Sequence, residues 1–499
     1  MTLGLSRRLA EFLAATRYPD LPASVTEHAR RAVLDWLGSA LGGAIELPAR
    51  MAQQFVTSLG VSNQATVFSG GRSSASGAAL ANGVASHILE FDDIHKTSTV
   101  HAAAPVISAA LAVAEREHVD GRAFLLAVTL GYEAALRIGE AVNPSHYRYW
   151  HPTGTAATFG AAAGAGSLMQ LSPAQMLDAL GSAGTQAAGL WEFNADGAMS
   201  KHLHPGKAAF NGVLSADLAR IGFTGATRIL EGQRGFFRAM SDAYDESRIT
   251  DGLGERWKIA ENCYKLHSCC GHTHTAIDVA LDLAAQVQSV NPSAEAHTSD
   301  LLWGGPPGPR PAPWPGFTSR RENARQGAGD RPGGLSHILI ETYGPGYEIV
   351  KELAPRTPYQ AKFSIAYCVA VALLDGCVGL DQFSPERLRD PAIAALLERT
   401  QVVVADDLTA RYPAAWPTRV TLTLTNGATL TASSDYPRGN PENPVSTAQL
   451  EDKFRSLVTP RFSAGTAERG IEAVQSLETC EDVSTVFRDL VHERHQPPR

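Results

Sequence analysis

"KLHSCCGHTHTAID", Lys265 to Asp278, is the stretch at which the chain changes character. Everything before it reads as helix after helix. "ASVTEHARRAVLDWLGSALGG", "PVISAALAVAEREH", "GRAFLLAVTLGYEAALRIGEAV" and "PAQMLDALGSAGTQAAGL" carry apolar residues at helical spacing, with frequent alanine. The small residues of "TFGAAAGAGSLM" let neighbouring helices approach closely. After Asp278 strands enter. "HILIETYG" and "TRVTLTLTNGATLTAS" are β-rich, and Asn426–Gly427 in the second marks a hairpin. The helix "AKFSIAYCVAVALLDG" lies between them, and the tail, "TAQLEDKFRSLV" and "TAERGIEAVQSLETCEDVSTVFRDLV", returns to helix.

The pattern predicts a mainly α protein with a second, α+β domain. Residues 1–266 form the helical domain, 267–440 the α+β domain, and 441–499 helices that return to the first. A chain of 499 residues is longer than one hydrophobic core usually serves, which agrees with two domains. One stretch fits neither. Trp303–Gly334 is Gly/Pro/Arg-rich without apolar periodicity and reads as a disordered surface insertion, or else as a proline-rich ligand for a partner.

A net charge of −8 argues against nucleic acid as partner, because such binders present a basic face. It leaves room for a local cationic pocket. The start, "MTLGLSRRLAEFLAATRYPDLP", lacks the apolar core and cleavage site of a secretory signal, and no run of about twenty apolar residues would span a membrane. Six cysteines, two of them adjacent, make no disulfide framework in a chain of this length. The expectation is a reduced, cytoplasmic protein.

Four constellations carry possible chemistry. In "NGVASHILEFDDIHKTSTVH", a helix through Ile94 would put His87, Glu90 and Ile94 on one face and Asp92 with His95 on another; the competing reading is a solvated helix end. In "YWHPTGTAATFG", His151 precedes a helix start whose free N–H groups favour a carboxylate and whose threonines, Thr153 and Thr155, would cap it; the alternative is a structural histidine. "KHLHPGKAAFNG" sets Lys201, His202, His204 and Lys207 around another helix start, with Pro205 suited to the first turn. The opening stretch offers Lys265, His267 and His272 before a helix. Its adjacent cysteines have the wrong spacing for a closed zinc site or a Cys-x-x-Cys redox pair. No G-x-S-x-G elbow, Walker loop or dinucleotide fingerprint is present. Histidines and lysines at helix starts, without a cofactor motif, point to acid–base work on a carboxylate.

Taken in order, the blocks "ANGVASHILEFDDIH", "HAAAPVISAALAVAE", "HPTGTAATFGAAAGAG", "KHLHPGKAAFNGVLSADLARIGFTG", "LEGQRGFF", "THTAID" and "RTPYQAKFSIAYCVAVALLDG" resemble the MmgE/PrpD family, whose members include 2-methylcitrate dehydratases, cis-aconitate decarboxylase and iminodisuccinate epimerase. The resemblance implies a helical domain, an α+β lid with the pocket between them, a homodimer, and no metal or organic cofactor. Carried over by motif, the site positions are Glu90, Ile94, His101, His151, Lys201, Lys265 and Cys270. Three of them depart from the decarboxylase pattern: Glu90 replaces an aspartate, Ile94 a threonine and Cys270 a histidine.

From residues and resemblance together, His101, His151, Lys201, Lys265 and His272 are the catalytic candidates. The histidines would move protons, and the lysines would anchor carboxylates. Glu90, Ile94, Asp93, Thr153, Lys207 and Cys270 are the substrate-binding candidates. The expected reaction is loss of water from a small hydroxylated di- or tricarboxylate. Epimerisation beside a carboxylate, decarboxylation and non-catalytic carboxylate binding are the alternatives.

Overall fold

The computed structural model describes residues 4–290 and 334–491. Residues 303–333 of the Gly/Pro-rich stretch lie outside the described residues. The chain divides into two compact units, Met1–Tyr264 with Ser446–Arg499, and Lys265–Val445. It is mainly α, with one smaller α+β unit, as the periodicities indicate.

The first unit is helical apart from a two-stranded ladder at 65–66 and 72–73. Its centre is the helix pair Gly121–Val142 and Ala156–Leu168, both apolar on nearly every side and therefore buried all round. They cross where glycine faces glycine: a Cβ on Gly160 would lie 2.5 Å from the Gly131 carbonyl oxygen. A second crossing fixes the site. Gly83 of helix Ala75–His87 meets Gly206 of helix Ser200–Arg220, and a Cβ on Gly83 would fall 2.8 Å from the Gly206 Cα. His87 is one turn beyond Gly83 and His202 one turn before Gly206, so this contact brings the two histidines to one place.

The C-terminal helices belong to this unit. Thr447–Val458 opens with a capping box from Ser446 and Gln449 and packs on helix Ala23–Gly43. There Lys453 Nζ lies 2.5 Å from Asp35 Oδ1 and 2.6 Å from the Phe91 carbonyl oxygen, all buried. The tail thus reaches the loop after His87.

The second unit holds a four-stranded sheet in the order Thr400–Val404, Leu335–Thr342, Thr418–Leu424, Thr429–Ser434. The first pair is parallel, with Ile340 opposite Val402; the others are antiparallel, with Ile340 opposite Val420 and Val420 opposite Ala432. Thr418, Val420 and Leu422 point to the buried face, and Arg419, Thr421 and Thr423 to the other. The Asn426–Gly427 turn closes the last hairpin, with Gly427 at φ +83°. Helices Gly271–Val290 and Ile365–Asp375 cover the sheet's apolar side. The segment read from sequence as one helix, "AKFSIAYCVAVALLDG", is broken at Phe363. Ser364 there accepts from the Tyr367 N–H and starts the helix anew.

Candidate active site

Helix Ala75–His87 does not run on to Ile94. It ends at His87, and Glu90 takes a left-handed φ of 57°, so the expected one-face alignment of His87, Glu90 and Ile94 does not form. Residues 88–102 instead make a buried loop, fixed from several sides. Ile94 exchanges both main-chain hydrogen bonds with Cys263, at 2.9 and 2.8 Å. His95 N–H donates to the Val100 carbonyl, and Lys453 holds the Phe91 carbonyl. Backbone strain of this kind persists only where surroundings over-determine it.

The loop's two aspartates do different things. Asp93 accepts from the Tyr132 hydroxyl (2.5 Å), the Asn262 amide (2.8 Å) and the Ala103 N–H (3.1 Å). It ties the loop to two other segments instead of offering itself to a ligand. Burial, against those hydrogen bonds and with the charges of Asp92 and Asp35 adding to it, raises its carboxyl to about 7. Asp92 instead faces imidazoles: its Oδ2 is 2.7 Å from His87 Nδ1 and 3.6 Å from His101 Nδ1.

Four histidine rings gather here. His101 lies 4.9 Å from His87 and 6.2 Å from His151 between ring centroids, and His202 lies 6.4 Å from His87. His101 donates from Nδ1 to the Asp93 carbonyl (2.6 Å), and its main-chain N–H donates to Thr153 Oγ1 (3.0 Å). Thr153 therefore positions His101. Neither it nor Thr155 caps the following helix, because Thr155 Oγ1 bonds His146 Nε2 at 2.8 Å. His151 is packed by Trp191 and Phe193 and shares one proton with His204 across a 3.0 Å Nδ1–Nδ1 bond. Burial first, then the charges of His87, Lys207 and Lys201, lowers His204 to about 4, so His204 is neutral at working pH.

Lys201, at the start of helix Ser200–Arg220, is buried in a close ion pair with Glu90. Lys207 lies further along and donates to the Gln186 and Ala188 carbonyls at 3.1 and 3.0 Å, with burial lowering it to about 8. Pro205 sits inside this helix, beyond its first turn. Of the sequence-derived candidates, the helical unit therefore gathers Glu90, His101, His151, Thr153 and Lys201. Ile94 and Asp93 frame the loop, and Lys207 is spent on carbonyls.

Lys265, Cys270 and His272 belong to the second unit. Lys265 is buried, and Cys270 N–H bonds the Lys362 carbonyl. Cys269 and Cys270 pack in that unit's apolar core. His272 meets the Tyr343 hydroxyl at 2.5 Å and packs tilted against Trp416, 4.5 Å between ring centroids; burial and the Lys265 charge lower it to about 3. It is a neutral imidazole at working pH.

Two groups have metal-ligand spacing. His87, Asp92 and His101 bring ligand atoms within 4.8 Å of one another. Yet His87 Nδ1 and His101 Nδ1 each face an oxygen acceptor at hydrogen-bond distance and must carry protons where an ion would need lone pairs. In the second group, His95, Glu140 and Glu261, the Lys258 ammonium already lies 2.9 Å from Glu140 and 3.0 Å from Glu261.

The helical unit thus gathers buried histidines and a lysine–glutamate pair, in one chain with an α+β unit. The model of the MmgE/PrpD N-terminal domain matches residues 7–248 and that of the C-terminal domain residues 321–479. The chain belongs to the MmgE/PrpD family, and it is an enzyme of lyase type. Its relatives include a cis-aconitate decarboxylase-like protein of Aspergillus oryzae, 25% identical with 97% of this chain and 96% of that one covered. Cis-aconitate decarboxylases of Aspergillus terreus and Homo sapiens are each 26% identical, covering 98% and 97% of this chain and 96% and 94% of theirs. Among the described residues no helix is long and apolar enough to cross a membrane.

Proposed function

We propose that the protein is a cofactor-independent lyase that removes water from a small hydroxylated di- or tricarboxylate, taking a proton from the carbon beside a carboxylate. The observation that carries this reading is the set of buried His101 and His151, 6.2 Å apart between ring centroids, in the unit that also buries the Lys201–Glu90 pair. Two imidazoles can act as base and acid, and the lysine supplies positive charge for a carboxylate or the enolate-like charge that develops. Glu90 offsets part of that charge, so the pair favours a substrate anion that can compete with an internal carboxylate.

Decarboxylation is the second reading, favoured by the names of the relatives at about a quarter identity. The substituted positions Glu90, Ile94 and Cys270 weigh against carrying that reaction over unchanged. Lys265 as a further carboxylate anchor and a homodimer rest on the family resemblance, and a cytoplasmic location on the cysteine usage. A panel of di- and tricarboxylates incubated in deuterated water and followed by NMR tests the proposal. Alkene formation without loss of carbon supports dehydration, and release of carbon dioxide from cis-aconitate supports the second reading. Stereochemical inversion alone would replace both with epimerisation.

A further inference from the structure

His87 and Asp92 are absent from the sequence-derived site, yet they lie at its centre. Asp92 is fully buried, and its bonded or ion-paired side chains among the described residues are two histidines: His87 at 2.7 Å and His101 at 3.6 Å, both from Oδ2 to Nδ1. Its Oδ1 and His87 Nε2 are buried with no hydrogen-bond partner among the described residues. The His101 Nδ1–H donates to the Asp93 carbonyl, with the Asp92 carboxylate 3.6 Å away, within ion-pair reach.

That arrangement has two chemical consequences. The proton is fixed on Nδ1, which leaves Nε2 as the nitrogen that gives and takes protons. When His101 accepts a proton, its new charge forms beside a buried carboxylate that no lysine or arginine neutralises among the described residues. We propose that Asp92 is the positioning residue of His101, balancing its imidazolium while the Asp93 carbonyl sets its tautomer, and that His87 holds Asp92 in place. A carboxylate behind a working imidazole acts in this way in other acid–base sites.

The other charged or titratable groups around the pair have their own partners. Glu90 is paired with Lys201, the Asp93 carboxyl with Tyr132 and Asn262, His151 with His204, and Asp35 with Lys453; His202 lies beside His87. Of these, the Asp93 carboxyl also feels the Asp92 charge and shifts with it, so the coupling is read at the His101 ring itself.

The inference rests on the acid–base reading of His101, but its readout is the imidazole itself, so loss of the proposed reaction and loss of this coupling are told apart. The full-length protein is labelled with isotopes in its histidine rings, and the His101 signals are those missing in His101→Gln. In the wild type the neutral ring should show a protonated Nδ1 and a bare Nε2; the opposite tautomer overturns the proposal, with no variant required. In Asp92→Asn, or in Asp92→Ser as a second neutral variant, the His101 titration midpoint should fall by about one pH unit or more. In His87→Gln, which keeps a donor to Asp92, it should move by less than half of that. If the midpoint is unchanged in a folded neutral variant, Asp92 is not coupled to His101 and the proposal fails.

Discussion

Replacing Lys453 by methionine should loosen the loop that carries the candidate site, although Lys453 lies more than three hundred residues along the chain from it. Lys453 and Asp35 are both buried, 2.5 Å apart, and the same ammonium holds the Phe91 carbonyl at 2.6 Å. Methionine keeps the length of the stem and removes the charge. Asp35 then loses the Lys453 ammonium from a buried ion pair, and removing one partner of such a pair costs about 3–5 kcal/mol in comparable sites. The freed Phe91 carbonyl adds to this. Hydrogen exchange read by mass spectrometry suits a chain of two units, because it reports each segment separately. Protection should fall in 23–43, 88–102 and 447–458 together. Asp35→Leu with Lys453→Met should recover at least half of the loss, since it removes the carboxylate that Lys453 balanced. A single variant within about 1 kcal/mol of wild type, or a double variant no better than the single, would refute the reasoning.

Gly206→Ala should destabilise the helical unit by about 1–3 kcal/mol, because the new Cβ would sit 2.6 Å from the Leu80 carbonyl oxygen; thermal melting checks it. Burial alone would raise the Glu261 carboxyl, but the His95 hydrogen bond and Lys258 outweigh it and hold the group at about 2. A carboxyl held below its unfolded value of 4.5 stabilises fully above that pH and loses its contribution as pH falls toward 2. The stability gap between wild type and Glu261→Gln, measured by urea unfolding, should therefore narrow between pH 5 and pH 3. Lys265→Met should lower kcat/KM by about ten- to a hundredfold with an unchanged circular dichroism spectrum, as expected for loss of one charge-assisted contact. Cys269→Ser should leave turnover near wild type; the reverse pattern would move the chemistry to the thiols.

The division between helical and mixed texture was legible because it depends on local periodicity: "GRAFLLAVTLGYEAALRIGEAV" and "TRVTLTLTNGATLTAS" each specify their own period. The site was legible in its residue types but less so in its partners. Lys201 meets Glu90 across 111 positions, and nothing local in either segment announces that pair. The end of helix Ala75–His87 was hidden because Glu90 adopts a left-handed backbone that its residue type does not favour. Lys207 looked like an anion ligand because the Gln186 and Ala188 carbonyls that take it come from another segment. His87 and Asp92 did leave a trace: a histidine, two adjacent aspartates and a further histidine within fifteen residues. Which aspartate serves the histidines depends on the loop's path, which the tertiary contacts of Ile94 and Asp93 decide.

Solvent deuterium incorporation is the most direct test of the claim that these histidines move a proton beside a carboxylate. On a carboxylate that the wild type turns over, the enzyme should exchange the substrate's α-hydrogen with deuterated water, and His101→Gln and His151→Gln should each slow that exchange by about a hundredfold or more while remaining folded. Exchange that persists at the wild-type rate in the double variant would contradict the account.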